Sequence, residues 1–194
     1  MARMGQGRSG RVRCGQVRFA SRTRKNWGMP TDPALLLFDY LYWLRDRVLA
    51  LADAATIDRW PAEPSINGRD LRATLAHELD VEASWRNKLL GLPIERWGPA
   101  AEVKADEFAI LDSLRARWAV EEHAMRAWLD GLGVEDLRAP VTVNGLDGRP
   151  LSMYLLHVVT HGIGELFVAA GILRELGHEA GDIGLLESLD TRAG

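Results

Sequence analysis

The chain has 194 residues, of which 47% are hydrophobic and 26% charged, and this composition is typical of one globular domain with a substantial core. Its charges are unevenly placed: residues 1–31 contain eight of the 24 Lys and Arg residues and no acidic residue. The rest of the chain therefore has 16 basic against 27 acidic residues, a balance that argues against a nucleic-acid-binding surface.

Residues 1–30 form a basic leader that we expect to be disordered, because it is rich in Gly and Arg and has no apolar face. It lacks the apolar stretch of a secretory signal, and its Arg-rich composition loosely resembles an organelle transit peptide. Alternatively, translation starts at Met29. The only cysteine, Cys14, lies in this leader, so neither a disulfide within the chain nor a thiolate ligand in the body is expected. We expect a cytoplasmic protein.

Four helices are predicted from apolar residues that recur at three- and four-residue spacing. Asp32 and Pro33 offer an N-cap and a first-turn proline for helix one, while Gly91, Gly131 and Gly177 stand where the later helices would end. No run of 18 uninterrupted apolar residues occurs, so no membrane span is predicted. The predicted helices cover approximately residues 32–54, 70–90, 103–129 and 151–176.

A short β-hairpin is predicted between helices three and four. Residues 141–144 alternate like a strand, and the Gly-Leu-Asp-Gly sequence of residues 145–148 can turn the chain back. Together these elements predict an all-α fold, an antiparallel four-helix bundle with a short hairpin, over residues 31–194.

Potential metal ligands lie on the second and fourth predicted helices. His157, His161 and Glu165 are spaced four residues apart, so their side chains share one face of helix four. Imidazole and carboxylate groups at this spacing can bind one first-row metal ion. His77 on helix two has mostly small neighbours that leave space for an ion, and it is the best candidate for a ligand from another helix.

Which side chain completes the ligand set is open between Glu165 and His157. His161 and Glu165 fill the apolar seam between Val158 and Val168, where an ionised carboxylate is costly unless it is paired or bound to metal. A structural alternative needs no metal. In it, the buried histidines are satisfied by hydrogen bonds, and Glu165 forms a salt bridge with an arginine. Two helical glycines beside these residues, at positions 162 and 164, suggest that space is needed for a neighbouring helix or a substrate.

The sequences of helices two and four resemble those of DinB-like proteins, the damage-inducible bundle metalloproteins related to thiol-dependent S-transferases and to mycothiol-dependent maleylpyruvate isomerase. The resemblance covers about Pro33 to Glu187, most clearly in Leu71–Trp85, Val141–Arg149, Leu155–Gly162 and Ala169–Asp182.

The resemblance implies one histidine ligand on helix two and a His-x-x-x-His pair on helix four. Carried over, these positions fall on His77, His161 and Glu165, so the chain departs from the pattern at the third. The Arg-Gly-Gln that commonly follows is replaced by Leu-Phe-Val at residues 166–168. The isomerase branch is similar in combining Glu with two His. His157 remains an alternative ligand.

The resemblance implies a metal-dependent enzyme, of the thiol S-transferase type, that acts on a small molecule. Nitrogen and oxygen donors suit zinc, nickel, iron or manganese, and a low-molecular-weight thiol would be the cosubstrate. A non-catalytic, stress-related metal-binding bundle is the alternative, and a helical scaffold without metal is a third. A homodimer through helices one and three is expected, because two-fold dimers are the commonest homo-oligomers.

Overall fold

The computed structural model of the protein describes residues 33–54 and 68–192. The predicted leader, with Cys14, lies outside the described residues, as do the predicted N-cap Asp32 and residues 55–67 after helix one. Six α-helices occur in the described part of the chain. They are α1 (Pro33–Ala54), α2 (Leu71–Leu89), α3 (Leu111–Asp130), α4 (Val134–Arg138), α5 (Leu151–Glu175) and α6 (Leu185–Arg192).

The ends of α2 follow from its sequence. The Asp70 side chain accepts a hydrogen bond from the Ala73 N–H at 2.7 Å, which caps the first turn. After the helix, Gly91 has a φ of +73°, a conformation that glycine adopts without a steric penalty. The four long predicted helices correspond to α1, α2, α3 and α5.

The predicted start of helix three at Val103 is wrong, because α3 begins only at Leu111. The Val103 N–H donates to the Asp80 carboxylate on α2 at 2.8 Å. A short 3-10 turn at Ala105–Glu107 takes the place of the predicted first turns. The chain therefore runs back along α2 before α3 begins.

Helices α1 and α3 run antiparallel. Arg115, near the start of α3, contacts Asp53 near the end of α1, whereas Arg126, near the end of α3, contacts Asp39 near the start of α1.

Two ring contacts fix the direction of α5 against α2. His77 lies 5.5 Å from His161, and Trp85, two turns further along α2, lies 6.0 Å from Tyr154, which is two turns earlier in α5. This antiparallel packing brings the two predicted ligand-bearing helices together.

Helices α2 and α3 run parallel, whereas the sequence predicted an antiparallel bundle. The indole of Trp118 donates to Glu82, and one turn further along both helices Arg86 pairs with Glu121. The long connection of residues 90–110 returns the chain to the starting end of α2, and this makes the parallel arrangement possible.

The predicted β-hairpin is not formed, and no strand occurs among the described residues. Residues 139–150 form a loop closed by an isolated antiparallel bridge between Pro140 and Pro150. The N–H of Leu151 donates to the Ala139 carbonyl and that of Val141 to the Arg149 carbonyl, whereas the next N–H, of Gly148, donates to the Val141 carbonyl and the pairing ends. Asn144 has a φ of +52°. Its side-chain amide donates to the carbonyls of Lys88 and Leu92, at 2.9 and 3.0 Å, so the loop caps the end of α2.

The core lies between the four long helices. Helix α5 is long and apolar enough to cross a membrane by length and composition, the one such helix among the described residues. However, it packs between α1 and α2, and Leu155, Leu166 and Leu173 are fully buried there. This packing is typical of the core helix of a soluble bundle.

Candidate metal centre

Three of the predicted ligands meet at the interface of α2 and α5. His77, His161 and Glu165 each place one potential ligand atom within 4.8 Å of the others. His161 is 27% exposed and Glu165 15%, so the group lies at the edge of the core and is not sealed inside it.

His157 does not belong to this group. Its side chain is exposed, and its ring lies edge-on to Trp85 at 5.1 Å and 6.4 Å from the ring of His161. The structure therefore groups Glu165, and not His157, with the two histidines.

The donor atoms suit a divalent ion. Ligands at about 2.1 Å from a tetrahedral ion lie about 3.4 Å apart, so the three potential ligand atoms, now within 4.8 Å of one another, would have to move closer together to bind one ion. Glu165 accepts a hydrogen bond from Arg69 through Oε1 at 2.8 Å. Its Oε2 is buried and has no hydrogen-bond partner among the described residues.

The arginine bridge predicted by the metal-free alternative is thus present, yet it uses only one carboxylate oxygen. A buried oxygen without a partner carries a desolvation cost that a metal ion would offset. The residues present therefore fit a divalent ion, with Glu165 held by Arg69 on one side.

The two histidines are poised as neutral ligands. Burial lowers the pKa of His77, and the positive charge of Arg69 lowers it further. Burial also lowers the pKa of His161, with a further contribution from the neighbouring His77. These lowered pKa values favour the neutral imidazoles, which keep a lone pair for a metal ion.

Glu78 is a residue of the site that the sequence reasoning missed. Its side chain is fully buried, and its Oε2 lies 3.1 Å from Nδ1 of His161. Burial raises the pKa of this carboxyl well above its usual range, and the charges of Glu82 and Glu165 raise it further. The signal was in the sequence: the apolar positions Leu71 and Leu75 continue at Glu78 and Glu82 with the same helical spacing.

Gly162 makes the close approach of Glu78 possible. A Cβ atom at Gly162 would overlap Oε1 of Glu78 and lie 2.9 Å from its Cδ and from Cδ1 of Leu41. A Cβ at Gly164 would meet nothing within 4 Å. Of the two glycines predicted to provide space, Gly162 therefore provides it for side chains of neighbouring helices.

A second buried carboxylate lies one turn further along α2. Glu82 accepts hydrogen bonds from Tyr42 Oη at 2.5 Å and from Trp118 Nε1 at 3.0 Å. Burial raises the pKa of Glu82 to about 7, although both hydrogen bonds act in the opposite direction. This residue links α1, α2 and α3 in the centre of the bundle and has no contact with the three potential ligands.

The fold and the site together define an all-helical bundle with a potential His-His-Glu metal centre. The family model described as "DinB family" matches residues 29–191. The chain therefore belongs to the DinB family, which confirms the resemblance seen in the sequence. No curated protein and no solved structure shows a significant match to the chain.

Proposed function

We propose that the protein is a metal-dependent enzyme of the thiol S-transferase type. The observation that carries the proposal is the group of three potential ligands, His77, His161 and Glu165, at a half-buried position. Three protein ligands leave at least one coordination position open, as in catalytic rather than structural metal sites.

The residues of the chain would have separate roles in binding the ion. His77 and His161 are neutral donors, and Glu165 brings a carboxylate that Arg69 holds in place through a 2.8 Å hydrogen bond. When bound, a divalent ion would act as a Lewis acid that favours the thiolate form of a thiol cosubstrate. Because the only cysteine of the chain is Cys14, outside the ligand-bearing helices, the reacting sulfur is expected to come from a small molecule.

The proposed reaction forms a carbon–sulfur bond. The thiolate sulfur attacks an electrophilic carbon and either displaces a halide or opens an epoxide ring, whose oxygen then takes a proton from water. The protein would contribute orientation and a partly dry position for the sulfur.

Cobalt substitution offers the direct test. Addition of a panel of low-molecular-weight thiols to the Co²⁺ protein should produce a near-ultraviolet thiolate charge-transfer band. The same panel with a haloarene or an epoxide should give turnover that is lost in His161→Ala. His123→Ala is the matched control, because His123 is exposed and lies on α3, outside the two helices that carry the potential ligands.

If no thiol produces the band and no pair gives turnover while the ion remains bound, the proposal is wrong. That outcome would favour the non-catalytic metal-binding bundle instead.

A further inference from the structure

The buried carboxyl of Glu78 lies behind the potential metal ligand His161. We propose that Glu78 is a positioning residue, which holds the His161 ring so that its Nε2 atom faces His77 and Glu165. This inference rests on the proposed metal centre and assigns a role to a side chain that is not itself in the ligand group.

The geometry distinguishes the two nitrogens of His161. Nδ1 lies 3.1 Å from Oε2 of Glu78. Nε2 lies on the other side of the ring, 4.0 Å from Oε1 of Glu165. If Nδ1–H donates to Glu78, the lone pair of Nε2 is directed toward the other two donors. Metal-binding histidines commonly donate their second N–H to a carboxylate in this way, which fixes both tautomer and orientation.

Glu78 has no other hydrogen-bonding role among the described residues. Its Oε1 is buried without a hydrogen-bond partner, and Oε2 contacts only His161. A structural carboxylate would be expected to use both oxygens, because a buried polar atom without a partner is unfavourable. The single contact of Glu78 therefore points to His161 as the reason for its presence.

Helix α5 also leaves space for the side chain of Glu78. Gly162 is unfavourable within a helix, and its missing Cβ is the space that Glu78 occupies. A methionine at position 78 would fill a similar volume without a buried polar group. A buried carboxyl and a glycine within a helix are each unfavourable, and their combination in one contact is typical of functional sites.

The test separates the metal centre from the fold. In Glu78→Met, the metal-free protein should have an equal or higher Tm, because a buried polar group is replaced by an apolar one. Its metal affinity, measured by chelator competition with Zn²⁺, should fall about ten- to hundredfold, the usual effect of losing such a partner. Glu78→Gln keeps an oxygen that can accept from Nδ1–H, so it should restore affinity to near that of the original protein.

Glu82→Gln is the matched control. Glu82 is equally buried on α2 but contacts Tyr42 and Trp118 instead of a potential ligand, so its replacement should leave the Zn²⁺ affinity unchanged. The absorption spectrum of the Co²⁺ protein provides a second readout. It should change in Glu78→Met and stay the same in Glu82→Gln.

The two levels of the proposal fail differently. If the original protein binds no Zn²⁺ or Co²⁺, the metal centre itself is wrong, and with it the role of Glu78. If the original protein binds metal and Glu78→Met binds it equally well, only the positioning role is overturned. Should Glu78→Met not fold, Glu78→Leu replaces it, and an equal loss of affinity in Glu78→Gln would overturn the hydrogen-bond explanation.

Discussion

Glu165 is the residue at which this chain departs from the His-x-x-x-His pattern that the family resemblance implies. Its carboxylate accepts a hydrogen bond from Arg69 through Oε1, and its buried Oε2 has no hydrogen-bond partner among the described residues. Arg69 can therefore orient the carboxylate without occupying both oxygens. His157, the alternative considered from the sequence, is exposed and packs against Trp85 instead.

The first prediction ranks these two side chains. Glu165→Gln should weaken Zn²⁺ binding by about tenfold or more, because the amide is a much poorer ligand than the carboxylate. His157→Ala should change the affinity little. Chelator competition on both variants measures the ranking, and the reverse order would identify His157 as the third ligand.

The second prediction concerns Glu82 and pH. Its carboxyl has an ordinary pKa of 4.5 and a pKa of about 7 in the folded protein, so the folded chain holds the proton more tightly than the unfolded chain. Well below pH 4.5 the Glu82 carboxyl is protonated in both the folded and the unfolded chain, so the raised pKa does not change the free energy of unfolding. As the pH rises toward 7, folding stability falls, and the full loss, on the order of 3 kcal/mol, is reached above pH 7.

Thermal unfolding of the metal-free protein checks this sign. Glu82→Gln removes the ionisation, so its Tm relative to that of the original protein should increase between pH 5 and pH 8. A difference in Tm that is the same at both pH values would mean that Glu82 does not titrate in this range. The difference between the two proteins also includes the coupling to Glu78, because the charge of Glu82 raises the pKa of that buried carboxyl.

At the level of the helices, the approach of α2 and α5 decides whether the site exists. The spacing of apolar residues was sufficient to predict four long helices, and Gly91 was sufficient to place the end of α2. The helical spacing places Glu78 on the apolar face of α2, but its contact with His161 could not be predicted, because it forms only where Gly162 lets α5 approach α2. Such a contact depends on the pairing of two helices and not on the pattern within either.

The third prediction uses the two glycines of α5 as a matched pair. Gly162→Ala should destabilise the protein by about 1–3 kcal/mol, because the new methyl group overlaps Glu78 and crowds Leu41. Gly164→Ala should be neutral or stabilising by up to about 1 kcal/mol, since its methyl group meets open space and alanine favours the helix.

Urea denaturation of both variants measures the difference. Gly162→Ala should also weaken metal binding, because Glu78 would have to move away from His161. Equal stability of the two alanine variants would contradict the close approach of α2 and α5.

Two errors in the sequence prediction have local physical reasons. The hairpin was predicted from alternating residues and a turn sequence, but the pairing ends after one bridge, where the Gly148 N–H donates to the Val141 carbonyl, and Asn144 is used to cap α2. Helix three begins later than predicted. The N–H of Val103 donates instead to the side chain of Asp80 on another helix. In both cases a tertiary hydrogen bond overrides the local pattern.

At the scale of the whole molecule, the bundle consists of two antiparallel pairs, α1 with α3 and α2 with α5. The long return along α2 sets α3 parallel to α2, a direction that the helix pattern alone does not encode. The potential metal centre belongs entirely to the second pair. The outer faces of α1 and α3 can therefore take part in another contact without involving the site.

The fourth prediction is that the protein forms a homodimer through α1 and α3. Val120 is 64% exposed on α3 and is a suitable position for a disruptive charge. Light scattering at micromolar concentration should give twice the 21.5 kDa chain mass, and Val120→Glu should reduce it. A mass of 21.5 kDa for the original protein would rule out the dimer under these conditions.

The central claim is that α2 and α5 together hold one divalent ion, and elemental analysis tests it most directly. Protein purified without an affinity tag should contain about one first-row metal ion per chain, and the double variant His77→Ala/His161→Ala should contain none. The same measurement on His123→Ala should match the original protein, since that histidine lies on α3. Full stoichiometric metal in the double variant, or none in the original protein after exposure to Zn²⁺, Ni²⁺, Fe²⁺ and Mn²⁺, would contradict the metal centre.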